Sequence, residues 1–196
     1  KWLSEKPFTL LWVDGNHENF DMLARLPAES WHAGKVQFIT ENVIHLMRGQ
    51  VYSLEDITLF SFGGARSHDI RDGVLEPEDA DFRRRYRSLK SRGAMFRVNH
   101  RSWWREEMPD KTEYEEGRRN LEARGWQVDF IVTHCAPSSV QARIAGEVYR
   151  PDPLTDYLEE IRQRCRYRKW FFGHYHDNRN VTDRDLLLYE QMIRIR

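Results

Sequence analysis

At 196 residues and 23.6 kDa, with 40% hydrophobic residues and seven tryptophans, the chain suits one domain with a sizeable core, and its composition excludes a disordered protein. Its 31 basic and 31 acidic side chains cancel, which removes any global field for nucleic acid or an anionic membrane. Two cysteines, Cys135 and Cys165, argue against a disulfide framework. No run reaches the roughly 20 apolar residues of a membrane span, and no stretch reads as a signal peptide, so a cytoplasmic protein with no membrane partner is expected.

In chain order, Phe8–Val13 reads as a strand, and Phe20, Leu23 and Leu26 fit a short amphipathic helix ended by Pro27. Val36–Ile39, Val43–His45 and Ile57–Phe62 are rich in β-branched and aromatic residues and read as strands, the last closed by Gly63-Gly64. Residues 65–127 are strongly charged, with helical runs at 78–91 and 112–124. They read as an excursion from the main sheet, packed partly by Phe82, Tyr86, Leu89, Trp103 and Trp104. A strand at 128–133 follows, then a helix at 153–166 with Leu154, Leu158, Ile161 and Cys165 on one face and Asp152 or Thr155 as cap. The Trp170–Phe172 strand comes next, and Leu186–Tyr189 with Met192–Ile195 are expected to close the chain as a hairpin.

Three of these strands end in metal-ligand residues: Asp14-Gly15-Asn16-His17-Glu18, His134-Cys135-Ala136-Pro137 and Gly173-His174-Tyr175-His176. In an open α/β sheet, functional groups gather beyond the carboxyl ends of parallel strands, so these clusters are expected to meet. Nitrogen and oxygen donors from His and Asn suit Mn, Fe or Zn better than an all-oxygen Ca or Mg cage. His174 and His176 would point to one face of an extended strand, but in a loop after Gly173 they can splay toward two adjacent ions. Asn16 and His17 are neighbours that point apart, which suggests one on metal and one on substrate.

Gly15-Asn16-His17-Glu18, Thr133-His134 and Gly173-His174-Tyr175-His176 resemble, in order and rough spacing, the last three of the five signature motifs of calcineurin-like metallophosphoesterases. Gly63-Gly64-Ala65 and Trp103-Trp104-Arg105-Glu106-Glu107-Met108-Pro109 further resemble a small bacterial and phage-type branch. The resemblance implies one α/β domain over residues 1–196, a β-sandwich flanked by helices, with two divalent metal ions at the loop ends, Mn favoured over Fe or Zn. It implies Asn16, His134 and His174 as ligands of one ion, His176 as a ligand of the other, and His17 either as proton donor to the leaving group or as a stabiliser of the phosphoryl oxygens. A metal-bridging hydroxide would attack the phosphorus of a phosphate mono- or diester. The substrate would be a phosphorylated small molecule, a phosphoprotein, or a nucleotide or nucleic acid; Arg66, as a substrate contact, and His68 and Asp69, all soon after the double glycine, are candidates to face the site.

The family's Asp-X-His and Gly-Asp-X-X-Asp motifs (X being any residue) are absent from the sequence. They would supply most ligands of the first ion and the bridging aspartate. The expectation is therefore an N-terminally truncated, inactive or weakly active chain, with Asp14 a minor candidate for the lost carboxylate. An alternative from another class is a nucleic-acid-binding module with a vestigial or structural metal cluster, using the basic and aromatic Arg83–Arg105 segment. The plainer reading of that segment, which is preferred, is a solvated helix paired with the acidic residues before it.

Overall fold

The computed structural model describes residues 1–145 and 150–195. The chain opens with β1 (Leu10–Trp12), α1 (Phe20–Leu23), β2 (Glu29–Trp31), β3 (Gly34–Thr40) and β4 (Val43–Leu46). These strands form one sheet in the order β1-β4-β3-β2, with β1 parallel to β4 and the remaining pairs antiparallel. Next come β5 (Gln50–Leu54), β6 (Ile57–Phe62), β7 (Val74–Leu75), α2 (Phe82–Ser91), β8 (Arg97–Val98) and α3 (Lys111–Ala123). The last elements are β9 (Phe130–Thr133), α4 (Ser138–Ala145), α5 (Pro153–Arg164), β10 (Lys169–Phe172), β11 (Arg179–Asn180) and β12 (Asp185–Leu187). A second sheet runs β11-β12-β10-β9-β6-β5, its four inner strands mutually parallel and its two edges antiparallel.

The apolar runs of β6, β9 and β10 are explained by cover on both faces of this sheet. Side chains alternate along each strand. Leu59, Phe130, Phe171 and Leu186 face the first sheet, meeting Val36, Ile44 and Leu46. Phe60, Phe62, Ile131, Trp170, Phe172 and Leu187 face the helices, where Leu121 of α3, Val140 of α4 and the Leu154, Tyr157, Leu158 and Ile161 stripe of α5 cover them. Burying each such aliphatic or aromatic side chain contributes about 1.5–3 kcal/mol. A capping box starts α5: Asp152 Oδ1 accepts from Leu154 N at 2.9 Å and Thr155 N at 3.0 Å, while Asp152 N donates to Thr155 Oγ1 at 2.9 Å.

Several expectations change. The three ligand-bearing strands lie in two sheets rather than one open sheet, because β1 pairs with β4 while β9 and β10 belong to the other layer. The charged excursion is narrower than expected: Ala65, Met108, Tyr114 and Leu121 pack into the main core, and the part that stands apart gathers around Leu75, Leu89 and Val98 with Phe82, Tyr86 and Phe96. Its helix begins at Phe82, after turns at 77–80. The closing hairpin is β11–β12, since 192–195 forms no strand and Met192 is almost fully exposed. Among the described residues no helix is long and apolar enough to cross a membrane.

Candidate metal centre

The parallel strands β6, β9 and β10 carry the chain to one edge of the second sheet, where Phe62 pairs with Thr133 and Phe171 with Val132. The loops beyond them, with the loop after β1, line a cleft of about 280 Å³. Its walls include Asn16, His17, His68, Asp69, His134, His174 and His176. All three clusters singled out in the sequence therefore meet, together with a fourth loop after β6. A larger hollow of about 480 Å³ lies by Phe82, Tyr86 and Phe96, but it is walled by packing aromatics and two arginines and holds no histidine or carboxylate. The chemistry places the site in the smaller cleft.

Asn16 has the most hydrogen-bond partners of the proposed ligands. It is buried, its Oδ1 faces His134 Nε2 at 3.2 Å, and its Nδ2 lies 3.0 Å from Ser67 Oγ and 3.2 Å from His17 Nε2. Glycine next door leaves room for this approach, because a Cβ on Gly15 would stand a tight 3.1 Å from the His134 ring. The His134 and His174 ring centroids are 5.1 Å apart, and those of His68 and His174 are 5.4 Å apart. His174 and His176 take φ values of 71° and 52°, left-handed conformations that β-carbon-bearing residues seldom adopt. Tyr175 between them is pinned inward: its hydroxyl donates to Gln141 Oε1 at 2.8 Å and lies 3.4 Å from Cys135 Sγ. The two histidines thus splay as the loop reading expected, His174 toward His134 and His176 onto Tyr189, 5.0 Å between centroids.

Burial holds His134 down at about 4, with His17 and His176 opposing a charge there and only Asp14 favouring it. Burial likewise holds His174 at about 3, reinforced by His134, His68, His176 and His17. Both imidazoles are neutral at pH 7 and offer lone pairs, as metal ligands must. The spacing also fits one ion. Two donor atoms each about 2.1 Å from a metal, at angles between square and tetrahedral, lie about 3.0–3.4 Å apart, and the two ring centroids then lie roughly 5 Å apart. Asn16 Oδ1 and His134 Nε2, at 3.2 Å, and the His134–His174 rings, at 5.1 Å, match both expectations. Among the described residues no group of three or more His, Cys, Asp or Glu side chains is placed to hold an ion. The set that fits is an amide with two imidazoles.

Other sequence candidates fall elsewhere. Arg66 is exposed and does not line the cleft, because the loop turns Ser67 inward and leaves Arg66 outside. Asp14 is no substitute ligand. It points behind the loop, where Arg48 Nε and Nη2 donate to its Oδ2 at 2.9 and 2.6 Å and His45 Nε2 meets its Oδ1 at 3.1 Å. Burial would raise its pKa, but Arg48 and His45 override that and hold it at about 2. His68 and Asp69, flagged by their place after the double glycine, do face the cleft. Ser67 and Glu107 gave no signal of their own in the sequence, and they are the partners behind Asn16.

Two pH effects follow. Asp14 is depressed from 3.8 to about 2, so its stabilisation is complete above pH 4 and is lost as pH falls through about 2. Asp14→Asn should cost roughly 3 kcal/mol at pH 7, because it strands Arg48, and about 1 kcal/mol less at pH 3. Urea melts at both pH values measure this, and an equal loss at both would contradict it. His134 and His174 are also depressed, so the metal-free protein should lose stability as pH falls from about 6.5 toward 4. His174→Asn should flatten that slope, and an unchanged slope would show that His174 is not held neutral.

Comparison with protein-family models, with curated proteins and with solved structures finds no match to this chain.

Proposed function

We propose that this chain carries one ion-binding half of a metal-dependent phosphoesterase of the calcineurin-like type, acting on phosphate mono- or diesters. The observation that carries the reading is the Asn16–His134–His174 set, spaced for one divalent ion and standing in an open cleft beside His17. Asn16 Oδ1 and one nitrogen each of His134 and His174 would hold the ion, Mn, Fe or Zn by donor type. When bound, it supplies Lewis acidity to phosphoryl oxygens and lowers the pKa of water.

The chain's own residues supply the rest. His17 is half-exposed, so a substrate oxygen can reach it. Its Nε2 lies between a donor, Asn16 Nδ2 at 3.2 Å, and an acceptor, Asp69 Oδ2 at 3.9 Å. The unprotonated ring can accept from Asn16 and the protonated ring can pair with Asp69, so both proton states have a partner. A group that delivers a proton to a leaving alkoxide needs that. Arg97 Nε, 2.8 Å from Asp69 Oδ2, keeps Asp69 ionised and in place.

The nucleic-acid alternative draws less support. Phe82, Tyr86 and Phe96, which would stack on bases, instead pack on one another with centroids 5.8 and 5.4 Å apart. Arg84 and Arg85 pair with Asp81 and Asp79, as the solvated-helix reading expected.

Residues 1–196 should bind one Mn2+ per chain, weakly, by calorimetry, and His134→Ala should abolish it. Inorganic phosphate should then bind only in the presence of Mn2+. Phosphate binding that ignores both the metal and His134→Ala would remove the phosphoesterase reading. With the carboxylate motifs absent, p-nitrophenyl phosphate should turn over slowly or not at all. Robust Mn-dependent turnover, lost in His174→Ala, would overturn the one-ion count.

A further inference from the structure

A chain of hydrogen bonds runs from the charged excursion to the back of Asn16, and its direction is fixed at one end. Glu107 is almost fully buried, at 1% exposure, in the turn after Trp104. Its Oε1 accepts from Ser67 N at 2.9 Å and its Oε2 from Ser67 Oγ at 2.5 Å. Burial pushes the Glu107 carboxyl up, while both hydrogen bonds from Ser67 favour its ionised form. A carboxylate only accepts, so the Ser67 hydroxyl proton is committed to Glu107. The oxygen of Ser67 is then left as an acceptor, and it takes a proton of Asn16 Nδ2 at 3.0 Å. An Asn amide can sit either way round in a site, and its neighbours decide which. Here Nδ2 is drawn back toward Ser67, so Oδ1 is presented to His134 and the cleft.

We infer that Glu107 is a positioning residue that sets the polarity of Asn16 through Ser67 and so makes Asn16 a metal ligand rather than a donor. The metal part rests on the site reading above. The relay also gives the excursion a purpose: it delivers one buried carboxylate 40 residues downstream of the serine it orients. Partners behind metal ligands are worth roughly 10–100-fold in metal affinity.

Glu107→Gln tests this without changing shape. The glutamine NH2 can donate to Ser67 Oγ, which frees the serine proton to turn toward Asn16 and lets the amide flip its NH2 into the cleft. Two readouts separate the relay from the site. In the metal-free protein, the Asn16 side-chain amide resonances, identified by their loss in Asn16→Asp, should exchange slowly in the wild type and shift and exchange faster in Glu107→Gln. Co2+ titration, followed by its absorption bands, should show affinity at least tenfold weaker in Glu107→Gln per folded molecule, with Glu107→Asp intermediate. An unmoved Asn16 amide overturns the relay whatever the metal does. A moved amide with unchanged Co2+ affinity overturns its link to the ion. A wild type that binds no Co2+ while its amide behaves as expected overturns the metal reading and reduces the relay to a structural one. Should Glu107→Gln not fold, Ser67→Ala serves in its place, with the same two readouts and the same outcomes.

Discussion

The buried ion pair of Asp14 and Arg48 is the constraint on which the site depends. Asp14 leaves β1 at 1% exposure, and Arg48 reaches it from the loop after β4 while also donating to Glu113 Oε2 at 3.1 Å and to the Glu106 carbonyl at 2.8 Å. One guanidinium therefore ties the first sheet to the start of α3 and to the turn that carries Glu107. The Asp14 carbonyl accepts from Gly64 N at 2.8 Å, and a Cβ on Gly63 would fall 2.0 Å from the Asp14 carboxylate. The loops after β1 and β6 are thus locked back to back, with glycine at position 63 where the Asp14 carboxylate presses. Removing one partner of such a pair costs more than the pair itself contributes, because a charge is left in the core.

From that anchor the cleft acquires its properties in sequence. The loops of β1 and β6 are fixed to each other, which sets Asn16 against Ser67 and His17 near Asp69. The loops of β9 and β10 are fixed by strand pairing, with Gly173 N donating to the His134 carbonyl at 3.1 Å. Burial then keeps two imidazoles neutral, and the inward anchor of Tyr175 holds His174 in an unfavourable backbone conformation. Such strain persists only where surrounding contacts over-determine it. The result is an amide and two neutral imidazoles held together at the mouth of the cleft.

Much of this was legible in the sequence, and the reasons are local. Short apolar strands ending in Asn-His, His and His-Tyr-His announced both the strands and their convergence, because ligand types cannot be buried elsewhere without cost. The Leu154, Leu158 and Ile161 stripe gave α5, and Asp152 gave its cap. Long-range pairing was not legible. Nothing in Leu10-Leu11-Trp12 says that it pairs with Val43–His45 and not with β9, so two sheets were read as one edge. Asp14 looked like a spare ligand because its two partners, His45 and Arg48, lie 31 and 34 residues away. The boundary of the charged excursion was misplaced for a related reason: α3 is polar overall, and its few core residues, Tyr114, Gly117 and Leu121, matter only once β5 and α5 lie against them.

The excursion itself is better understood as a support than as a recognition surface. Its Glu107 and Arg97 reach Ser67 and Asp69, which in turn meet Asn16 and His17. The pair at the heart of the site is thereby held from outside the main sheets. The central claim is that Asn16, His134 and His174 share one ion. Anomalous diffraction from crystals soaked in Mn2+ tests it most directly. The account predicts one peak within about 2.0–2.3 Å of Asn16 Oδ1 and of one ring nitrogen on each histidine, the range of metal–oxygen and metal–imidazole bonds. A peak elsewhere, or none at saturating Mn2+, would contradict it.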